Sequence, residues 1–205
     1  MTWDELFQVP GPDRHYDDRV LGPIQKADAC LLAAVCNYIR PEVAIEYGCL
    51  EGHSAAVLAR FCKRLFCVEI DHARQGLCHV IDKNPNITHV HASMTEWVPP
   101  EDVKDIGLVY FDASHKCEDS LAAYDILEFR LSPTALLICH DTGDWCDPYP
   151  NEDFKRFVPR QETIAGERKF VRSLFYRGGW HAVAFGCTTQ FRHGLTILQR
   201  STGWK

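Results

Sequence analysis

No stretch of these 205 residues approaches the ~20 apolar residues of a membrane-spanning helix, and no N-terminal run is apolar enough for a secretory leader. We therefore expect no membrane partner. A basic excess is also missing: 22 Lys and Arg stand against 28 Asp and Glu, for a net charge of −6. A nucleic-acid face needs concentrated positive charge, so a small-molecule substrate is the better expectation. The chain has ten cysteines but no Cys-x-x-Cys pair. Their scatter through predicted strands and helices (Cys36, Cys67, Cys139) excludes an obvious disulfide framework and fits buried reduced thiols, hence a cytoplasmic setting. Repeats and low-complexity segments are absent, and the length suits one globular domain with a substantial core.

What is present is concentrated at Val43-Ala44-Ile45-Glu46-Tyr47-Gly48-Cys49-Leu50-Glu51-Gly52-His53-Ser54. An apolar run ends in an acid, glycines flank a short turn, and a helix begins. A second apolar run, Leu65-Phe66-Cys67-Val68, ends in Glu69-Ile70-Asp71. Strand, glycine turn, helix and an acid after the next strand form the logic of a nucleotide-binding α/β crevice. Glycine lets the backbone approach a ligand, and the later carboxylate can accept from both ribose hydroxyls. The spacing is Glu-x-Gly-x-x-x-Gly rather than the Gly-x-Gly-x-x-Gly of dinucleotide sites. An acid at that strand end would repel a pyrophosphate and could hold an ammonium.

Around this motif the chain reads as alternating strands and helices. Residues 1–23 form an irregular, proline-marked arm. The helical spacing of Ala29, Leu32, Ala33, Cys36 and Ile39 predicts a helix over Lys26–Ile39, stopped before Pro41. Strands are expected at Val43–Tyr47, 65–70, Ile87–His91, Ile106–Phe111, 135–139, 181–185 and 195–199. Helices are expected at 54–63, 72–81, 118–130 and 161–176. The Glu167-Arg168-Lys169-Phe170-Val171-Arg172 cluster reads as a solvated helix face. Continuous apolar runs in the strands predict a parallel sheet covered on both faces. We expect an arm and helix over 1–40 capping the site, and a cofactor-binding domain over 41–205. The arm would lie over the crevice or make a homodimer contact. The aromatic loop 142–159 is either a lid or a surface insertion.

The turn and its answering acid resemble class I S-adenosylmethionine-dependent methyltransferases, a likeness running from about Val43 to Leu198. It implies an α/β Rossmann-like doubly wound sheet, mostly parallel with an antiparallel C-terminal strand. It also implies S-adenosyl-L-methionine as cofactor, with Gly48 and Gly52 at its methionine end and Glu46 nearby. Glu69 would grip the ribose, with Asp71 as the alternative, and Asp112 would border the cofactor. Ser93, after the third strand, would lie against the adenine, where Trp97 either stacks or packs in the core.

Ligands of such sheets sit beyond the strands' carboxyl ends. The fourth strand stops at Phe111-Asp112-Ala113-Ser114-His115-Lys116 and the fifth at Cys139-His140-Asp141-Thr142. Converging carboxylates repel unless a cation or shared proton compensates, which suggests a metal site. The segment is similar to small class I families with Asp-x-x-His and His-Asp-Thr at these ends. It is more distantly similar to cation-dependent O-methyltransferases acting on catechols, caffeoyl-CoA and antibiotic sugars. That resemblance implies Asp112, His140 and Asp141 as ligands. His140 stands where those enzymes carry an oxygen ligand, so three readings stay open. The metal is Mn²⁺, Fe²⁺, Zn²⁺ or Ni²⁺ rather than Mg²⁺, or His140 is a base, or no metal binds. Lys116 is close to the catalytic lysine of the catechol-like enzymes, and His115 is an equally good base, since histidine ordinarily titrates near ~6.5. The expected function is methylation of a small hydroxylated metabolite or sugar. The alternatives are N- or C-methylation, hydroxylase-like metal chemistry, or a non-catalytic cofactor-binding protein.

Overall fold

The computed structural model describes residues 26–142, 162–185 and 195–201. The expected N-terminal arm and nearly all of the aromatic loop lie outside them. In chain order the elements are α1 (Lys26–Ile39), β1 (Val43–Tyr47), α2 (His53–Ala59), β2 (Arg64–Glu69), α3 (Gln75–Lys83) and β3 (Ile87–His91). There follow β4 (Ile106–Phe111), α4 (Cys117–Leu127), β5 (Leu131–His140), α5 (Glu162–Arg177), β6 (Trp180–Phe185) and β7 (Leu195–Arg200). One seven-stranded sheet has the order β3-β2-β1-β4-β5-β7-β6. β1 to β5 are parallel, and β7 runs antiparallel between β5 and β6. The expected fold class is therefore present. Among the described residues no helix is long and apolar enough to cross a membrane.

The continuous apolar runs follow from two covered faces. Alternate side chains of a strand point to opposite sides. Ala44, Leu65, Cys67, Leu108, Tyr110 and Ile138 pack with α1, α2 and α3. Ile45, Tyr47, Val109, Phe111, Leu137 and Cys139 pack with α4 and α5, through Tyr124, Leu127, Phe170 and Leu174. All five residues of β1 are buried, including Glu46.

Several boundaries move from the sequence reading. α2 stops at Ala59 because the chain turns through 60–63 to enter β2 at Arg64. α3 starts at Gln75 rather than 72, since Arg74 is extended with φ −73° and ψ 163°. β5 starts early, at Leu131, and its pairing with β4 is irregular between Ile106 and Leu108. Pro133 falls in the unpaired stretch, where a missing N–H costs no ladder bond.

The helix face expected to be solvated is corrected. Glu167 and Phe170 are buried, and only their neighbours Arg168, Lys169 and Arg172 are exposed. Glu167, Phe170 and Leu174 follow i, i+3, i+7 spacing, one stripe of a helix.

Candidate active site

The site is built at the carboxyl ends of β1, β2, β4 and β5. Gly48, with φ 85°, carries the chain out of β1. A Cβ there would lie 2.1 Å from the Asp112 carbonyl oxygen, so only glycine lets the first turn press against the end of β4. Gly52 turns the chain into α2 with φ 84° and faces α3 at Leu77. At the end of β2, Glu69 accepts from the Leu50 amide at 3.0 Å and the Asp71 amide at 3.2 Å. Its carboxylate is thus fixed beneath the glycine turn, while Asp71 is exposed.

Glu46 sits differently from the expectation. Its side chain has no exposed surface, and it accepts from the Cys67 thiol at 3.4 Å. Burial pushes its pKa up to about 8, with hydrogen bonding from Ser54 and Cys67 partly opposing. It supports the turn from below rather than lining an open cleft. Strand parity explains this, since Glu46 shares the inward face of Ala44. Ser93 closes a local turn, bonded to the Thr95 hydroxyl at 2.8 Å. Trp97 packs on Phe66 and Tyr47, with ring centroids 5.6 and 6.3 Å apart. Lys116 is exposed at the start of α4.

The β4 and β5 ends converge. The ligand atoms of Asp112, His115 and Asp141 all lie within 4.8 Å of one another. His115 and Asp141 have φ of 55° and 57°, a left-handed backbone that costs a non-glycine residue about 1–3 kcal/mol and clusters at functional sites. The strain at His115 goes with close packing: a Cβ on Gly166 of α5 would lie 1.9 Å from the His115 carbonyl oxygen. His115 Nδ1 lies 3.1 Å from Glu167 Oε1 and 3.8 Å from Asp141 Oδ2. Burial raises the pKa of Glu167, against the hydrogen bond and charge of His115.

His140 is drawn into the protein instead. Its Nδ1 donates to Asp112 Oδ1 at 3.1 Å and its Nε2 to Asp28 Oδ2 at 3.2 Å. Burial alone would depress its pKa, but the charges of Asp112 and Asp141 and the bonds to Asp112 and Asp28 raise it well above the ordinary value. Carboxylates on both ring nitrogens thus favour its charged form. The expected set of Asp112, His140 and Asp141 is brought together, with His140 Nδ1 3.1 Å from Asp112 Oδ1 and 3.4 Å from Asp141 Oδ1, and His115 joins the two carboxylates from the other side. Parity places His140 on the face of Leu136 and Ile138, toward α1.

Asp28 and Glu167 were missed by sequence reasoning. The available signal was a charge on a buried stripe, Asp28 four residues before Leu32 and Glu167 three before Phe170.

A sheet of this order, with an inserted antiparallel strand, a glycine turn after β1 and polar groups at the β4 and β5 ends, defines the class I methyltransferase fold. Residues 45–142, from β1 to just past β5, match the family model described as a methyltransferase domain. No curated protein matches the sequence. Among solved structures, the chain is similar to the O-methyltransferase TomG from Streptomyces achromogenes in complex with SAM, involved in tomaymycin synthesis. The identity is 14%, the TM-score 0.69, and the match covers 98% of this chain and 89% of that one. An O-methyltransferase from Bacillus cereus in complex with SAH matches at 14% identity and TM-score 0.65, over 97% of this chain and 90% of that one. The N-methyltransferase NodS from Bradyrhizobium japonicum matches at 15% identity and TM-score 0.65, over 97% of both chains. The chain thus has the class I methyltransferase fold, and its residues 45–142 are similar to a methyltransferase domain.

Proposed function

We propose that this chain transfers a methyl group from S-adenosylmethionine to a hydroxyl oxygen of a small molecule, with His115 as the base. The observation that carries this reading is the buried Glu167 carboxyl 3.1 Å from His115 Nδ1, on a residue at the open end of β4. Such a partner fixes the ring's orientation and stabilises the imidazolium formed when a hydroxyl proton is taken. His140 is unsuited to that task, because both ring nitrogens already donate to carboxylates. When bound, S-adenosylmethionine supplies a sulfonium-borne methyl group. Glu69 would accept from its ribose, and Gly48 would let the turn lie against its methionine end. Asp112 borders both this turn and the acceptor side. The structural relatives that are O-methyltransferases support oxygen as the acceptor atom.

A second reading rests on the 4.8 Å clustering of Asp112, His115 and Asp141. Two carboxylates and an imidazole suit Mn²⁺, Fe²⁺ or Zn²⁺ better than Mg²⁺. A cation there would supply a Lewis acid that favours the ionised acceptor. In either reading Asp28 ties α1 to the site through His140, making that helix part of its wall.

The test begins with calorimetric titration of S-adenosylmethionine. Transfer of labelled methyl to a panel of catechols, phenols and sugars follows, with chelator or with each metal. Micromolar binding and transfer insensitive to chelator support His115 as base. Transfer that requires metal supports the ligand reading. No binding overturns both.

A further inference from the structure

Beneath the glycine turn, on the α1 side of the sheet, lies a second polar cluster that methyl transfer does not use. Ligand atoms of Glu46, Cys49 and Cys67 all fall within 4.8 Å of one another, and all three residues are buried. They come from three segments: Glu46 from β1, Cys49 from the turn and Cys67 from β2. Cys67 donates to Glu46 Oε2 at 3.4 Å, and its thiol also contacts that of Cys49. Ser54 lies close enough to the Glu46 carboxyl to favour its charged form, yet the oxygen Oε1 is buried without a hydrogen bond of its own among the described residues. An unsatisfied buried acceptor of this kind costs about 1–3 kcal/mol.

We propose that Glu46, Cys49 and Cys67 form a binding site for a thiophilic d¹⁰ cation such as Zn²⁺. Core thiols commonly serve as small hydrophobes, and Cys139 on the opposite face does so. That role does not account for a carboxyl with an unpartnered oxygen among them. In tetrahedral zinc sites with Zn–S near 2.3 Å, neighbouring ligand atoms stand about 3.8 Å apart. The observed cluster comes within about an ångström of that spacing, a gap that side-chain rotation can close. Two thiolates and a carboxylate over-neutralise a dication by one charge, which a buried site tolerates far better than three anions without it. Binding displaces the thiol protons. The ion would pin the turn to β1 and β2, holding the segment between Gly48 and Gly52 in its ligand-ready shape.

The experiment uses the full chain, reduced and stripped of metal, titrated with Cd²⁺ while sulfur-to-cadmium charge-transfer absorption is followed in the ultraviolet. One equivalent is expected to develop the band, and Zn²⁺ to displace it. Cys49→Ser and Cys67→Ser should each weaken Cd²⁺ binding beyond the roughly 10–100-fold typical of losing an outer-sphere partner. Cys78→Ser and Cys139→Ser should bind as wild type. The Asp112, His115 and Asp141 cluster has no sulfur and cannot produce the band. Should a serine variant fail to fold, the same question is decided in the wild-type chain, where Zn²⁺ should protect Cys49 and Cys67 from alkylation mapped by mass spectrometry. Absence of both the band and the protection overturns the proposal, as does a band unchanged in folded Cys49→Ser and Cys67→Ser.

Discussion

Under the proposed function, His115 bears the most chemical weight of any single residue. Its replacement by Asn keeps size and some hydrogen bonding but removes the base. Under the proposed function, the turnover number should fall about 10²–10⁴-fold with S-adenosylmethionine affinity within about twofold of wild type. Methyl-transfer kinetics beside a binding isotherm check this, and equal loss of both would place His115 in binding instead. Glu46 offers a pH test. Its ordinary value of 4.5 is raised to about 8 in the fold. Between those values the folded state holds a proton that the unfolded chain has released, so stability falls as pH rises from 4.5 to 8 and levels off above. In the presence of chelator, Glu46→Gln should therefore melt higher than wild type at pH 8, with the gain shrinking toward pH 5. Each pH unit in that window corresponds to about 1.4 kcal/mol. A melting difference independent of pH would contradict a protonated Glu46. At this scale residue types were legible in the sequence but their orientations were not. His115 and His140 look alike as strand-end histidines, yet one meets Glu167 at the cleft and the other is clamped by Asp28 and Asp112.

Among elements, the turn between β1 and α2 is the most constrained. Gly48→Ala would put a Cβ 2.1 Å from the Asp112 carbonyl and hold alanine at φ 85°. The left-handed backbone alone costs about 1 kcal/mol, and the clash with backbone adds to it. We expect a loss of at least about 2 kcal/mol, a melting drop of about 4–8 °C for a chain of this length, and loss of cofactor binding. Calorimetry on the variant checks both, and unchanged binding would detach the turn from the cofactor. The edges of elements were less legible than their cores. β1 and β4 matched their apolar runs because turn residues bound those runs, and β3 matched although Ile-Thr-His-Val-His is not one. α2 and β5 did not, because the chain's turn into β2 and the irregular pairing opposite Pro133 are set by neighbouring strands.

For the whole molecule, β7 is the element that completes the sheet. It lies between β5 and β6, with Leu198 fully buried opposite Leu137. Leu198→Ala should cost about 2–5 kcal/mol, as truncation of a buried leucine leaves a cavity. Chemical denaturation measures it, and a loss under about 1 kcal/mol would mean that β7 packs loosely.

From the sequence alone came the class of fold, the glycine turn, Glu69 and the two strand ends that carry Asp112, His115, His140 and Asp141. Local periodicity and turn chemistry determine these, and both are written in consecutive residues. Tertiary structure alone decided which polar groups share a site. Asp28 reaches His140 across 112 positions and Glu167 reaches His115 across 52. Such pairings depend on which face of the sheet each helix covers, and no local pattern encodes that.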